Sequence, residues 1–362
     1  MERIGKHTVK LNEGICVQEI RSCLLCNSEG VLLYQDLRDR LFDAPGIWHF
    51  LTCPRCGLVW LNPRPISEDI GKIYATYHTH FVKSRKSRMA SLRKKIKYTL
   101  LAAVFGYDDL LEWKGSKWIG RILSLLTPLK EMERLSIMCL EGSRKGRLLD
   151  VGYGSGFFLS TMQDLGWEVL GIEPDVQAAN IAKEQFKVPV IVSTLEEVRL
   201  PASSFDAITM NHVIEHVPDP LGVLKECQRL LKPNGILVVT TPNFGSLGHR
   251  LFRQRWRGLE VPRHFYLFRT RTMLMIAEKA GFFVKSLTTS ARFARGMFVA
   301  SLFPSLEKRR NKPRVRYILH LFGLGFYALE AFIRYSLAPN IGEELVLIAE
   351  PRKEGKCLYI SR

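Results

Sequence analysis

Short apolar runs alternate with segments of helical periodicity between residues 146 and 243. The runs RLLDVG, WEVLGIE, VPVIV, FDAITM and GILVVTT predict buried strands, because each is short and almost entirely apolar. Between them, segments such as DVQAANIAKEQF and DPLGVLKECQRLLKPNG carry apolar residues at helical spacing. Strands that alternate with helices in this way predict a parallel sheet with helices on both faces.

The pattern continues towards the end of the chain with one interruption. RTRTMLMIAEKAGF predicts a helix, and FFVKSLTTS and EELVLIAEPR predict two further strands. About fifty residues separate these two strands, which is too many for a turn and predicts an insertion. Ahead of the sheet, residues 83–145 have a helical pattern that begins with a run of basic residues: Lys83, Arg85, Lys86, Arg88, Arg93, Lys94, Lys95 and Lys97.

These changes of pattern predict five segments. Residues 15–65 contain two cysteine pairs, and residues 66–145 form a basic helical cap or linker. Residues 146–290 form the α/β core, 291–343 an amphipathic basic insertion, and 344–362 the last core strand and a tail.

Charge is distributed unevenly among these segments. The chain of 362 residues has a net charge of +18, and its 46% hydrophobic residues are typical of a globular protein. Residues 146–243 contain 7 Lys/Arg and 12 Asp/Glu, a net charge of −5, which leaves +23 for the rest. An acidic core with basic attachments predicts an anionic partner, such as phosphate, a lipid headgroup or RNA. A generally basic, soluble surface is the alternative.

The amino terminus and the cysteines indicate a cytoplasmic protein. MERIGKHTVKLNEG contains no apolar stretch of the kind found in secretory signals. Eight cysteines in a chain without an export signal favour free thiols or metal ligands over disulfides.

Three glycines at alternate positions follow the first core strand. In LLDVGYGSGFF, Asp150 precedes Gly152, Gly154 and Gly156 at a turn from strand to helix, the edge where open parallel sheets bind ligands. Glycines there let backbone N–H groups approach a ligand closely, and their spacing differs from the G-x-G-x-x-G of dinucleotide-binding folds. Asp150 suits a cationic amine, and Glu173 ends the next strand, where a carboxylate can accept both ribose hydroxyls. Together they indicate a nucleoside with a positive amino-acid tail, S-adenosylmethionine.

Five motifs and a final strand extend this interpretation: LLDVGYGSGFFL, GIEPD, FDAITMNHVIEHVPDP, LKPNGILVVTTPN, PRHFYLF with AEKAGF, and GEELVLIAEPR. In their order and spacing the chain resembles the class I S-adenosylmethionine-dependent methyltransferases. The resemblance implies a Rossmann-like α/β fold, a seven-stranded sheet whose last strand is antiparallel. It implies that the cofactor is bound by Asp150, Gly152, Tyr153, Gly154, Gly156, Glu173 and Pro174, with Asn211 and His212 beside the reacting centre. Many members bind the adenine amine with an aspartate near the end of the third strand, where VSTLEEV offers Thr194 and Leu195 instead.

Two C-x-x-C pairs, Cys23 with Cys26 and Cys53 with Cys56, are separated by 26 residues. Each pair needs a turn after its second cysteine, and Asn27 and Gly57 tolerate the positive φ of such a turn. Four thiolates predict a closed, structural zinc site, with buried thiols or a redox pair as the alternatives. The other cysteines are expected to pack as small apolar groups: Cys16, Cys139, Cys227 and Cys357.

The segment CGLVWLNPRP resembles the zinc-ribbon leader of a methyltransferase subgroup. That resemblance implies a small N-terminal zinc ribbon ahead of the catalytic domain. It also implies substrates among sugars or other cell-envelope metabolites.

Two histidines are candidates for the base that a hydroxyl acceptor would require. His216 in VIEHVPDP and His264 in VPRHFYLF both follow strands at the ligand edge. A purely structural hydrogen bond is the alternative for each. Glu260 is expected either to orient His264 or to pair with one of the nearby arginines.

The insertion leaves from the ligand edge, because the sixth strand of this fold is parallel and the seventh antiparallel. It combines a basic part, Lys308 to Arg316, with the apolar stretch YILHLFGLGFYALEAFIRYSL. His320, Glu330 and Arg334 interrupt that stretch, so it is too short to span a bilayer. The pattern predicts either a peripheral membrane contact or a buried lid helix.

Three functions are compatible with these observations. The first is methyl transfer to a small or lipid-linked metabolite, such as a sugar of an envelope polysaccharide. The second is an RNA methyltransferase that grips phosphates with its basic segments, although the chain lacks a nucleobase-methylating tetrapeptide such as N-P-P-Y near MNHVIEH. The third is a non-enzymatic binding module.

Overall fold

An N-terminal module of two small sheets precedes the core in the computed structural model, which describes residues 10–75, 88–110, 116–303 and 313–353. The module comprises β1 (Lys10–Asn12), β2 (Ile15–Gln18), β3 (Val31–Leu37), β4 (Trp48–Thr52), β5 (Val59–Asn62), β6 (Arg64–Pro65) and a 3-10 helix (Ser67–Tyr74). Strands β1, β2 and β6 form one sheet, and β3, β4 and β5 are neighbours in the other. Trp48, Phe50 and Trp60 are buried and form the hydrophobic centre of this N-terminal module.

A helical segment follows, with α1 (Arg88–Phe105), α2 (Ser116–Leu123) and α3 (Thr127–Ser136). It is tied to the core through Tyr107, whose hydroxyl donates to Leu140 O at 2.9 Å and accepts from Trp167 Nε1 at 3.1 Å. Of the predicted basic run, Lys83, Arg85 and Lys86 lie outside the described residues.

The core alternates strands and helices in the predicted order. Its elements are β7 (Arg147–Val151), α4 (Phe157–Asp164), β8 (Glu168–Ile172), α5 (Val176–Ile181), β9 (Val190–Ile191), β10 (Phe205–Asn211), α6 (Pro220–Leu230), β11 (Leu231–Pro242), α7 (Leu247–Phe252), β12 (Tyr266–Leu267), α8 (Thr270–Lys279), β13 (Phe282–Ser290), α9 (Ala294–Leu302), α10 (Pro313–Ser336) and β14 (Glu344–Pro351). Short turns of 3-10 or π helix occupy Asp108–Leu110, Gly142–Arg144, Ala182–Phe186, Arg253–Arg255 and Arg257–Leu259.

Seven of these strands form one sheet in the order β13-β14-β11-β10-β7-β8-β9. Strands β7 to β11 are mutually parallel, whereas β14 pairs antiparallel with both β11 and β13. The predicted seven-stranded α/β fold with an antiparallel last strand is therefore confirmed. Strand β7 is buried at all positions except Arg147, which agrees with its mostly apolar sequence.

The N-terminal module shares a sheet with the core. Strand β12 pairs antiparallel with β5, so that Tyr266 lies opposite Trp60 and Leu267 opposite Val59. Arg64 extends the contact, because its Nη1 donates to Pro218 O at 2.9 Å. The cysteine-bearing module is thus held directly against the loops that follow β10 and precede β12.

The described part of the insertion contains two helices, α9 and α10. Two of the charged residues that interrupt its apolar sequence anchor α10. Glu330 is fully buried, and its Oε1 accepts from Glu343 N at 2.9 Å. Arg334 Nη1 donates to Thr289 O at 2.8 Å, and Arg334 also pairs with Glu131 of α3. The greater part of the predicted basic run from Lys308 lies outside the described residues. Within the described ranges, no helix is long and apolar enough to cross a membrane.

Candidate functional site

The glycine loop connects β7 to α4 at the carboxyl edge of the sheet. All three glycines have positive φ, with +70° at Gly152, +56° at Gly154 and +82° at Gly156. A Cβ added to Gly152 would lie 2.4 Å from Val213 Cγ2, whereas one added to Gly154 would meet nothing within 4 Å. The loop is therefore tightly packed at Gly152 and borders open space at Gly154.

Glu173 reaches this loop from the end of β8. Its Oε2 accepts a hydrogen bond from Gly154 N at 3.1 Å, and its Oε1 accepts one from Asp175 N at 3.3 Å. Pro174 is exposed beside it. The structure thus brings the predicted ribose carboxylate to the open part of the glycine loop.

Asp150 lies buried at the end of β7, with 3% of its surface exposed. Its Oδ1 accepts a hydrogen bond from Thr209 Oγ1 at 2.6 Å. Burial raises the pKa of Asp150 to about 7, and the negative charge of Glu173 adds to that increase. A cationic group at this edge would favour the ionised carboxylate.

The remaining predicted cofactor contacts on this side differ in exposure. The ring of Tyr153 packs over Gly171, where an added Cβ would lie 2.4 Å from Tyr153 Cδ1, and its buried hydroxyl has no hydrogen bond. Leu195 is 3% exposed and belongs to the hydrophobic core, whereas Thr194 is half-buried.

Asn211 and His212 lie at the end of β10 within a network of charged side chains. His212 Nε2 is 2.9 Å from Glu344 Oε1, and its Nδ1 is 3.3 Å from Glu215 Oε1. Burial by itself would lower the pKa of His212, but the two carboxylates raise it to about 9. Asn211 Oδ1 accepts from Arg292 Nη2 at 3.1 Å. His212 is therefore a cation held between two acids.

Arg292 and Glu344 are functional candidates that the sequence reasoning missed. Arg292 Nη2 is 2.5 Å from Glu344 Oε1, and Arg292 Nη1 donates to Leu135 O at 3.3 Å. Arg292 lies at the start of the insertion, and Glu344 opens β14, where an acid precedes an apolar run. A charged residue directly beside an apolar strand is the sequence signal that could have identified these two residues.

The structure brings His216 and His264 together, with their ring centroids 4.7 Å apart. His216 Nδ1 is 3.0 Å from Arg263 O and equally far from the hydroxyl of Tyr74, which belongs to the N-terminal module. His264 Nδ1 is 2.8 Å from Gly258 O. Burial, reinforced by the charge of His216, lowers the pKa of His264 to about 4, so this imidazole is neutral at pH 7.

Two buried carboxylates flank these rings. Glu215 is 1% exposed, and its Oε2 accepts from Thr241 Oγ1 at 2.9 Å. Burial tends to raise the pKa of Glu215, but the hydrogen bond and charge of His212 lower it to about 2. Glu260 pairs with Arg257 and Arg263 and lies 3.6 Å from His264 Nε2. Glu260 therefore pairs with arginine, the second of its two expected roles, whereas the hydrogen bond that holds the His264 ring comes from Gly258 O.

A cavity of about 250 Å³ opens next to Glu260. It lies between the N-terminal module and the loop ahead of β12, and its lining includes four arginines: Arg38, Arg40, Arg255 and Arg257. Arg40 Nη1 donates to Arg255 O at 3.1 Å, and burial together with the charge of Arg255 lowers the pKa of Arg40. The cavity is thus lined by several cationic side chains, and its lining includes Glu260, which lies 3.6 Å from His264 Nε2.

The four cysteines of the two C-x-x-C pairs form one cluster in the N-terminal module. Their sulfur atoms all lie within 4.8 Å of one another. The turns after the second cysteines are left-handed as predicted, with φ of 57° at Asn27 and 83° at Gly57. Backbone N–H groups point at two of the sulfurs, from Leu25 to Cys23 Sγ and from Cys56 to Cys53 Sγ, each at 3.4 Å. Of the other cysteines, Cys139 and Cys227 are buried, Cys16 is half-buried, and Cys357 lies outside the described residues.

Known proteins that resemble this chain include methyltransferases. A family described as a methyltransferase domain matches residues 125–287. A ubiquinone biosynthesis O-methyltransferase of Rhodopseudomonas palustris is 38% identical over 118 residues, which cover 31% of this chain and 45% of that protein. The protein of the same name from Haemophilus ducreyi is 36% identical over 107 residues, 27% of this chain and 45% of its own. The chain thus spans less than half the length of these curated relatives.

A solved S-adenosylmethionine-dependent methyltransferase of Mesorhizobium loti matches with a TM-score of 0.38 and 16% identity. The match covers 57% of this chain and 91% of that one. The family match indicates a methyltransferase domain over residues 125–287, and the topology of the sheet is that of the predicted seven-stranded α/β fold. The N-terminal module, residues 10–75, lies outside the matched region.

Proposed function

We propose that this protein transfers the methyl group of S-adenosylmethionine to a hydroxyl oxygen of a small or lipid-linked metabolite. The proposal depends chiefly on one arrangement: the glycine loop with Asp150 and Glu173 lies at the same sheet edge as His212 and the histidine pair. The curated relatives carry the name O-methyltransferase, which supports oxygen as the acceptor atom.

The residues of this edge fit the cofactor. The buried carboxylate of Asp150 lies where the ammonium of the methionine tail would neutralise it. The open space beside Gly154 would accept that tail, and the oxygens of Glu173 could accept hydrogen bonds from the ribose hydroxyls. When bound, the sulfonium supplies an electrophilic methyl group, so the protein has mainly to position the acceptor and exclude water.

The acceptor enters, in this proposal, through the arginine-lined cavity. A metabolite with a phosphate or carboxylate would pair with arginines such as Arg40 and Arg255 and extend past Glu260. Its hydroxyl would then reach His216 and His264, whose ring nitrogens can promote the loss of its proton. Sugars of the cell envelope and isoprenoid-linked intermediates both meet these requirements.

A partition experiment tests the reaction and its acceptor class together. The full chain is incubated with cell extract and methyl-labelled S-adenosylmethionine, and label is counted in RNA, organic and aqueous fractions. We expect base-stable label in the organic or aqueous small-molecule fraction. Label that enters RNA, and disappears after ribonuclease treatment, would contradict the proposal and favour a phosphate-gripping RNA enzyme.

We further propose that Cys23, Cys26, Cys53 and Cys56 hold one structural zinc ion. Four sulfurs around a tetrahedral ion at about 2.3 Å would lie slightly under 4 Å apart, and this cluster is compact enough for that geometry. No ligand position would remain for substrate. Elemental analysis of protein purified without chelator should find zinc bound to the wild-type chain and lost on removal of any one of these cysteines.

A peripheral membrane contact is proposed for exposed faces of α2, α3 and α10, of which α3 and α10 are linked by Glu131 through Arg334 and Tyr335. Large apolar side chains are exposed there: Trp118, Ile119, Ile122, Leu125, Leu126 and Met132 on one side, and Leu321, Phe322, Leu324, Leu329, Phe332, Tyr335 and Leu337 on the other. Arg121 and Lys130 are exposed among them. An apolar surface with basic neighbours suits an anionic bilayer.

Co-sedimentation with vesicles tests this contact. Wild-type protein should pellet with anionic vesicles at low salt and remain in solution with neutral ones. Leu125→Asp should weaken pelleting because it places a carboxylate on the apolar surface. Equal, negligible pelleting with both kinds of vesicle would leave the insertion as an ordinary lid.

A further inference from the structure

Three side chains of metal-binding type converge on the acceptor side of the site. Glu215, His216 and His264 each offer one ligand atom, and these atoms all lie within 4.8 Å of one another. Two imidazoles and one carboxylate form the donor set of open catalytic sites for first-row divalent metals, in which positions remain for a substrate oxygen. This cluster is separate from the four cysteines of the N-terminal module.

Both imidazoles are oriented as metal-binding histidines usually are. His216 Nδ1 faces Arg263 O at 3.0 Å, and His264 Nδ1 faces Gly258 O at 2.8 Å. A carbonyl oxygen can only accept, so these contacts are hydrogen bonds when Nδ1 carries the proton and Nε2 keeps its lone pair; the Tyr74 hydroxyl, also 3.0 Å from His216 Nδ1, is then a second acceptor. Such N–H to carbonyl hydrogen bonds fix the ring and its tautomer before a cation binds at the other nitrogen.

The carboxylate is also held in place by the protein. The backbone oxygen of Glu215 accepts from Phe265 N at 2.7 Å and from Tyr266 N at 3.2 Å, which ties the loop of Glu215 and His216 to that of His264. Glu215 Oε1 is buried, and its charged neighbour is His212 Nδ1 at 3.3 Å. A bound cation would provide this buried oxygen with a ligand bond.

Glu260 is the other acid near these rings, but its charge is already balanced. Its carboxylate pairs with both Arg257 and Arg263. Glu215 pairs with a single imidazolium, His212, and its ligand oxygen lies within 4.8 Å of a ring nitrogen of both histidines, so it is the carboxylate that a cation at the pair would share.

We propose that Glu215, His216 and His264 bind a divalent first-row transition-metal ion that receives the acceptor's hydroxyl oxygen. This inference rests on the proposed function, since it assigns to the histidine pair a joint role as ligands. Coordination makes the hydroxyl more acidic, and its proton passes to solvent water. A lone pair of the oxygen then forms the new O–C bond while the C–S bond breaks. The electron pair of that bond stays on sulfur, which becomes a neutral thioether.

Cobalt(II) binding tests the site directly, with the full chain purified without chelator and its zinc content measured first. We expect titration calorimetry with CoCl₂ to show one cobalt site per chain in addition to the zinc. His216→Ala and His264→Gln should each weaken cobalt binding at least about tenfold, as the loss of a ligand requires. His49→Ala is the matched control, because His49 is a half-buried histidine of the N-terminal module outside the cluster, and it should bind cobalt like wild type.

Two results would overturn the metal site: no cobalt bound beyond the zinc, or equal cobalt affinity in wild type, His216→Ala and His264→Gln. S-adenosylmethionine binding is measured on the same samples, so that the two proposals can fail separately. Absent cobalt binding with intact cofactor binding rejects only the metal. If His264→Gln unfolds because the residue is buried, the half-buried His216 still decides the question through His216→Ala.

Discussion

The two halves of the site are built in different ways. We call Asp150, the glycine loop and Glu173 the cofactor side, and they come from one β-α-β unit, residues 147–173. The acceptor side consists of His212, Glu215, His216 and His264, and its partners come from the N-terminal module, the loop ahead of β12 and the start of β14. The cofactor side thus comes largely from local structure, with Thr209 and Val213 as its more distant contacts, whereas the acceptor side requires the whole chain to be assembled.

Loss of a zinc ligand should give the largest difference in effect between the acceptor side and the cofactor side. Cys53→Ser should abolish zinc binding and unfold the N-terminal module, since structural zinc sites contribute about 10 kcal/mol or more to folding. The contacts of Tyr74 and β5 with the acceptor side would be lost with it. Zinc analysis and limited proteolysis report the first effect, while calorimetry should show S-adenosylmethionine affinity within a few-fold of wild type.

Cys16→Ser is the control, because Cys16 lies in the same module but outside the cluster. It should retain zinc and resist proteolysis like the wild type. A Cys53→Ser protein that kept its zinc and its N-terminal module intact would contradict the proposed ligand set.

Gly154→Val should damage only the cofactor side. The new side chain would occupy the open space beside the loop, so we expect at least a hundredfold loss of S-adenosylmethionine affinity. Positive φ adds a stability cost of about 1–2 kcal/mol. Gly14→Val is matched to it, because Gly14 also has positive φ, +91°, and open space around its Cβ position. It should lose similar stability and bind the cofactor normally; equal cofactor binding by both variants would disprove the placement of the ligand.

The buried Asp150 should make cofactor binding depend on pH. Its pKa is raised to about 7 by burial, whereas an ammonium ligand needs the ionised carboxylate. Binding should therefore weaken as pH falls below about 7, approaching tenfold per pH unit in calorimetric titrations. Asp150→Asn should bind more weakly and lose that dependence. A wild-type affinity that is flat between pH 5 and pH 8 would show that Asp150 does not meet the ammonium.

The smallest effect, a change in stability, is expected at the contact between Glu330 of α10 and Glu343, the residue before β14. Burial raises the pKa of Glu330 to about 9 and that of Glu343 to about 7. Both are raised above their unfolded values, so the native state holds extra protons and stability should fall as pH rises through this range. Glu330→Gln should remove much of this loss and stabilise the protein at pH 9 by about 1 kcal/mol or more in urea unfolding. Leu329→Gln, at an exposed position, should leave the wild-type pH profile unchanged.

What could be predicted from the sequence follows the same division. The seven strands and the glycine loop are local patterns, and the sequence predicts both correctly. It also predicts the positive φ of Asn27 and Gly57 in the turns that follow the cysteine pairs. The pairing of β12 with β5 was not foreseen, because two residues of strand leave no periodicity to recognise.

The acceptor side was recovered only in part for a related reason. His216 and His264 were singled out by their positions after strands, but their contact at 4.7 Å depends on tertiary packing. Arg292 and Glu344 were missed, since isolated charges beside apolar runs are common and only the folded chain brings them to His212. Likewise, the sequence of α10 predicts Glu330 only as an interruption of an apolar stretch, and the structure shows a buried anchor there.

Calorimetric titration of S-adenosylmethionine into wild type and Glu173→Ala tests the central claim most directly. Glu168→Ala is the matched control, because Glu168 begins the same strand, is exposed, and pairs with Arg147 away from the glycine loop. We predict one S-adenosylmethionine per chain for wild type and Glu168→Ala. Glu173→Ala should bind at least about tenfold more weakly, a loss of about 1.4 kcal/mol, because the ribose hydroxyls lose their acceptor. No binding by the wild type, or equal affinity in all three proteins, would contradict the assignment of this edge as the cofactor site.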